Sequence, residues 1–198
     1  MSASCTVGFR VKSGWAAAVL VAGPKKAPTV LDSRMIELSD PSVPDSRQPY
    51  HAGFGTEQTD TAKVERLVRG IEQFSRRAIA ALLAEYREQH RMKSAGVVVA
   101  SLTDPATIAN QHMRAHASEG RLFRTVLVDG LERCGVTVRI VLERDVYQSL
   151  GRALRRPPAS LKTKVTALGE GVGRWRAEQK VAAAAAWRAL VGSWRAEA

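Results

Sequence analysis

The chain opens on two apolar runs, Cys5 to Val11 and Trp15 to Val21, divided by Lys12-Ser13-Gly14, and no other stretch limits the possible folds as much. Short valine-containing runs on either side of a glycine turn predict a β-hairpin. Gly23-Pro24-Lys25-Lys26-Ala27-Pro28 ends the second run, and Thr29 to Leu38 predicts a third strand, so the chain begins as an antiparallel meander. Gly96-Val97-Val98-Val99-Ala100 is different, because it is apolar on both faces. A strand needs that pattern only when helices cover it on both sides, as in a parallel sheet. Val136 to Leu142 is a second β-branched run.

The intervening segments have helical spacing. From an N-cap at Asp60 or Thr61, apolar residues recur at Leu67, Val68, Ile71, Phe74, Ala78, Leu82 and Tyr86, which predicts a helix ending near His90. Asp104-Pro105 joins a capping acceptor to a first-turn proline and predicts a helix start. That helix runs through Ile108, Met113, Leu122, Phe123, Val126, Leu127 and Leu131 to Gly135, whole or as a pair broken near Gly120. Asp145 to Leu154 predicts a short helix stopped by Arg155-Arg156-Pro157-Pro158, and residues 155–173 read as a basic connection rich in Pro and Gly. Arg174 to Trp194 forms the last helix, where Ala182 to Ala186 permit close packing on a sheet. Right-handed crossovers turn this order into an α/β domain. The expected sheet is mixed and five-stranded, three antiparallel strands followed by two parallel ones, with helices on both faces.

A chain of 198 residues, 45% of them apolar, suits one core, so residues 1–198 are expected to form a single domain. Pro41, Pro44, Pro49, Gly53 and Gly55 mark residues 39–60 as a long loop, of a length more often functional or disordered than idle. Cys5 and Cys134 form neither a disulfide framework nor a zinc motif. Without an apolar run of ~20 residues or a leader pattern, no membrane partner and a cytoplasmic location are expected. The formal charge of +11 favours polyanions.

The hairpin VGFRVKSGWAAAVL and the closing RAEQKVAAAAAWRAL, taken with the order of elements, resemble the ribonuclease H-like superfamily, and most of all its RuvC-type resolvase branch. The resemblance implies the strand order 3-2-1-4-5 for the sheet, and two divalent cations held by carboxylates of the first strand, the fourth strand and the last helix, for in-line phosphoryl transfer. On this chain the first of those places falls on Arg10, the second near Ala100-Ser101-Leu102, and the third offers only Glu178, with Lys180 nearby. Asp104 and Asp32 are neighbouring acids, as is Glu143, but Asp104 already reads as a cap. The expectation leans away from an enzyme, with no metal and no cofactor, and towards a degenerate nuclease-like protein that binds nucleic acid or another polyanion. A scaffold for a protein partner and a divergent metal-dependent nuclease are the alternatives.

Candidate phosphate contacts are Arg10, Lys12 and Ser13, together with Arg152, Arg155, Arg156, Lys162, Lys164, Arg174, Arg176 and Lys180. The resemblance implies that the end of the first strand and the start of the last helix border one cleft. Arg10 pairing with Glu178, or lying towards solvent, is the competing reading. Trp175 offers a stacking surface for a base, or else belongs with Trp187 and Trp194 to the apolar face of the last helix. His112 and His116 share a helical face, but HMRAH lacks the zincin glutamate and an evident third ligand, so they read as solvated or capping histidines. Gly169 to Gly173 (GEGVG) lacks the Lys-Ser/Thr of a phosphate loop and reads as a flexible linker.

Overall fold

Strands β1 (Ser4–Lys12), β2 (Trp15–Ala22) and β3 (Thr29–Glu37) form the meander, and β4 (Arg91–Val99) and β5 (Thr137–Leu142) extend it in parallel. The sheet order is β3-β2-β1-β4-β5, as expected, in a computed structural model that describes residues 4–53 and 55–192. Strand β1 is central, with Arg10 opposite Ala17 of β2 and Val98 of β4. The two-residue alternation of a strand sends Cys5, Val7, Phe9 and Val11 to one face and Thr6, Gly8 and Arg10 to the other. The first face packs on α1 (Thr61–Gln89) and α2 (Gln111–Arg133). The second packs on α3 (Val146–Leu154), α4 (Pro158–Ala167) and α5 (Ala177–Val191).

Helix α5 lies directly on the sheet. The Thr6 hydroxyl donates to the Ala186 carbonyl at 2.7 Å, and a β-carbon on Gly8 would stand 1.9 Å from the Ala182 oxygen. On β4, a β-carbon on Gly96 would stand 2.6 Å from the Ala185 oxygen. Glycines in the sheet and alanines in the helix together permit an approach that larger side chains would prevent. Because Thr6 meets Ala186 and Gly8 meets Ala182, α5 runs antiparallel to β1, and its first turns come level with Arg10.

Helix α1 begins as its cap predicts, with the Asp60 carboxylate accepting from the Lys63 amide at 2.9 Å. Three later elements differ from expectation. Asp104-Pro105 starts only a single 3-10 turn, Pro105–Thr107, while α2 is capped separately by Asn110 and passes Gly120 unbroken. Gly120 has open space around it, so only its propensity argued for a break there. Residues 155–173 are not merely a connection: Arg155 ends α3 in the left-handed conformation, φ 54°, and Pro158 becomes the first-turn proline of α4. The closing helix starts at Ala177 and not at Arg174, and Trp194 lies outside the described residues.

The long loop after β3 is tied to α2. Arg114 of α2 donates from Nε to Glu57 at 3.1 Å and from Nη1 to the Ile108 carbonyl at 3.0 Å, while His51 and Glu57 form an isolated β-bridge. The guanidinium holds the Glu57 carboxyl below its ordinary range. This loop places His51 against α2. No helix among the described residues is long and apolar enough to cross a membrane.

A cationic cleft and a histidine cluster at the end of the first strand

At the carboxyl ends of β1 and β4 the sheet and α2 enclose a cleft of about 200 Å³. Its walls are Arg10 to Ser13 from β1 and its turn, Val99 at the end of β4 with Ala100, Ser101 and Thr103 beyond it, and His116, Ala117, Gly120, Phe123 and Arg124 from α2. Three of these are arginine or lysine, and no carboxylate is among the described lining residues. The volume is below the ~300–1,000 Å³ usual for whole small-molecule ligands, which suits a group of phosphate size. Burial, and then Arg121, pull the Arg124 guanidinium below its ordinary pKa, so an anion would be welcome there.

Arg10 is only 2% exposed. Its Nη2 pairs with Glu143, just after β5, at 2.5 Å, and its Nη1 donates to the Val11 carbonyl. The pairing with Glu178 considered from sequence is therefore replaced by one with Glu143, which the parallel β4–β5 extension carries to the same end of the sheet. Arg10 Nε has no hydrogen-bond partner among the described residues. Lys12 and Ser13 are half-buried at the cleft mouth.

The remaining basic candidates lie elsewhere. Arg152, Arg155, Arg156, Lys162, Lys164, Arg174 and Arg176 are exposed on the α3–α4–α5 layer with half-buried Lys180, and none lines the cleft. They cover the opposite face of the sheet, and the cleft and this layer approach each other where the first turns of α5 come level with Arg10. Lys162 Nζ stands 5.5 Å from the Tyr147 ring centroid. Trp175 is no open stacking platform: its indole N–H donates to the Val165 carbonyl at 3.1 Å and its ring packs with the α5 core, fastening α4 to α5. Trp187 is core, with its N–H on the Lys25 carbonyl at 2.8 Å.

The acidic candidates do not converge. Asp104 caps the 3-10 turn and pairs with Arg121 at 3.2 Å. Glu178 lies in the first turn of α5. Asp32 sits on β3, bound to Arg34 at 2.7 Å and accepting from the Tyr86 hydroxyl at 2.5 Å. Burial, and then this carboxylate, push the Tyr86 phenol far above its ordinary range. Asp32 thus joins the sheet edge to α1. Tyr86→Phe is expected to lower stability by about 1.5 kcal/mol, as a hydrogen bond to a charged acceptor is lost. Urea denaturation measures this, and an unchanged midpoint would show the bond to be idle.

Sequence reasoning missed a neighbour of the cleft. His51, buried in the long loop, meets His112 and His116 of α2, and one nitrogen from each lies within 4.8 Å of the others. His51 Nδ1 is 2.6 Å from Oε1 of Glu119, a fully buried carboxylate one turn beyond His116. Burial pushes the Glu119 carboxyl up, while His51, the Tyr50 amide and the Ser13 hydroxyl stabilise its anion. Desolvation, and then the other two rings, lower the His116 pKa. The i,i+4 spacing of HMRAH was the visible half of this cluster; nothing local marks His51 as the other half.

The sheet order, with the alanine-rich helix on one face and the paired long helices on the other, defines the ribonuclease H-like fold. Within it the layout is that of the RuvC-type resolvases. RuvC of Thermus thermophilus in complex with a Holliday junction substrate aligns over 95% of this chain and 93% of its own, at 11% identity and a TM-score of 0.57. A second Thermus thermophilus RuvC structure covers 96% and 97%, at 12% identity and a TM-score of 0.56. The yeast mitochondrial Holliday junction resolvase Ydc2 is more distant, with a TM-score of 0.46 at 10% identity, and the fold assignment rests on the first two. No protein-family model matches the chain, and no curated protein does.

Proposed function

We propose that this protein uses the RuvC-type fold to bind the phosphate backbone of nucleic acid, or a comparable polyanion, without the carboxylate-held metal pair of a nuclease. The observation that carries this reading is the composition of the cleft. Arg10, Lys12 and Arg124 line it and no carboxylate is among its described lining residues, while Glu143 pairs with Arg10 from beside it, and the family resemblance puts the first-strand acid on Arg10. In-line cleavage through two cations needs oxygen ligands that converge. Asp32, Asp104 and Glu178 lie on separate elements with partners or positions of their own, and Glu143, at the same end of the sheet as the cleft, is taken up by Arg10, so the residues present do not fit such a pair. Side-chain cations take over the electrostatic part of the task, and the basic α3–α4–α5 layer extends it along a strand. The likeness to a resolvase bound to a DNA junction favours nucleic acid over other polyanions.

Fluorescence anisotropy with labelled single-stranded, duplex and four-way-junction oligonucleotides, at low salt in EDTA, tests the reading. Saturable binding is expected, with little sequence preference, and weakened about ten-fold or more by Lys12→Ala/Arg124→Ala together. No binding to any of these probes would overturn it in favour of a protein scaffold. Cleavage with Mg²⁺ or Mn²⁺ that Glu178→Ala abolishes would overturn its non-catalytic part.

A further inference from the structure

Three of the four histidines in the chain converge on one point, although they come from two distant segments. Helix geometry places His112, His116 and Glu119 on one face of α2, and the loop pinned by the Arg114–Glu57 pair lays His51 over them. The ring centroids of His51 and His116 are 4.5 Å apart, those of His112 and His116 4.4 Å, and the rings are tilted rather than stacked.

We propose that His51, His112 and His116 form a three-ligand site for a divalent transition-metal ion of the zinc type, oriented by Glu119. Nitrogens bound to one zinc at 2.0–2.1 Å in tetrahedral geometry lie about 3.3 Å from each other. His112 Nε2 and His116 Nε2 are already 3.2 Å apart. The three nitrogens lie within 4.8 Å of one another, so the His51 nitrogen has to close by up to about 1.5 Å to complete the set. The tautomers agree with this. The 2.6 Å contact of His51 Nδ1 with Glu119 Oε1 fits the tautomer with its proton on Nδ1, which leaves the lone pair on Nε2, and that buried atom has no hydrogen-bond partner among the described residues. Glu119 Oε2 lies 3.7 Å from His116 Nδ1, near enough for a small movement of the second ring to bring the two within hydrogen-bond reach. One buried carboxylate behind two ligand imidazoles is the outer-shell arrangement that fixes ring orientation and raises ligand basicity.

A cluster held only by an N–H···N bond between His112 and His116 does not account for His51 Nε2. An ion takes up all three nitrogens. All-imidazole coordination selects zinc, cobalt, nickel or copper over magnesium and calcium, which require oxygen. His116 also lines the cleft, so the ion would stand in its wall, with the fourth coordination position for water or an oxygen donor.

The test uses untagged full-length protein. Zn²⁺ is titrated in competition with a chromogenic chelator, and Co²⁺ is followed by its visible ligand-field bands. One ion per chain is expected, with a higher melting temperature on loading. Because His51 is buried, half-buried His112 carries the decisive variant. His112→Asn should abolish the Co²⁺ bands while the metal-free melting temperature stays that of the parent. Glu119→Gln should weaken Zn²⁺ about 10–100-fold at unchanged stoichiometry. His90→Asn, at the distant end of α1, should change nothing. The site is refuted by the absence of saturable binding, by an unaltered Zn²⁺ affinity in His112→Asn, or by Mg²⁺ competing equally with Zn²⁺.

Discussion

Gly8→Ala is expected to destabilise the protein by about 3 kcal/mol or more, at or beyond the upper end for overpacking a core. The added methyl would stand 1.9 Å from the Ala182 carbonyl oxygen and 2.6 Å from the Ala186 amide nitrogen. Both are backbone atoms of a buried helix, so no side-chain rotamer can make room, and α5 must lift from the sheet. Gly96→Ala should act in the same direction but less severely, since its nearest backbone oxygen, on Ala185, is 2.6 Å away. Gly120→Ala gives the contrast. Nothing lies near its added carbon, and in mid-helix alanine is favoured over glycine by up to about 1 kcal/mol. Denaturation of the three variants should rank them Gly120→Ala above the parent, then Gly96→Ala, then Gly8→Ala. Equal midpoints for Gly8→Ala and Gly120→Ala would disprove the close helix-on-sheet contact. Natural domains have only ~5–15 kcal/mol in hand, so Gly8→Ala is the point change expected to come nearest to unfolding the chain.

Arg155, Arg156, Lys162 and Lys164 replaced together by alanine should remove much of the salt-dependent affinity for polyanions while scarcely changing the fold. Between Arg152 and Lys180 there are eight cations and two acids, Glu170 and Glu178. Each phosphate neutralised releases counterions, and the log–log salt slope is about −0.9 per contact on duplex DNA and −0.7 on single strands. If all four cations touch phosphate, the slope flattens by about 3 to 4. The melting temperature should hardly move, because exposed charges contribute little to folding, and the Lys162–Tyr147 contact adds at most about 1 kcal/mol. None of the four lines the cleft, so this variant separates binding along the helical layer from binding at Lys12 and Arg124. An unchanged salt slope would confine the interface to the cleft.

Much of the architecture was legible in the sequence because its determinants are local. The β1–β2 hairpin follows from two apolar runs and a glycine turn, β4 from an unbroken apolar run, and α1 from the Asp60 cap and a helical repeat of apolar residues. The right-handed crossover rule adds the parallel extension, and the family resemblance adds the strand order that the structure has. Where two local signals competed, sequence reading went astray. Pro157-Pro158 marks a stop and a start equally well, and only the packing of Leu161 and Val165 into the α5 core selects the start. Asp104-Pro105 carries strong capping chemistry, yet the turn it opens ends at Thr107 and Asn110 caps the real helix.

The site was decided by tertiary structure for a different reason. Arg10 on the inner face of β1 could be read from the strand pattern, but its partner Glu143 is 133 residues away, brought near only by parallel pairing of β4 and β5. His112 and His116 could be read as one helical face, since a helix repeats every few residues and its faces follow from spacing alone. His51 could not, because a loop has no period: its position is set by where Arg114 holds Glu57 and by the buried Glu119 carboxylate to which its ring is bound. Periodicity thus determined the layers of this protein, while the meeting of its chemically active side chains was left to long-range contacts that no local pattern encodes.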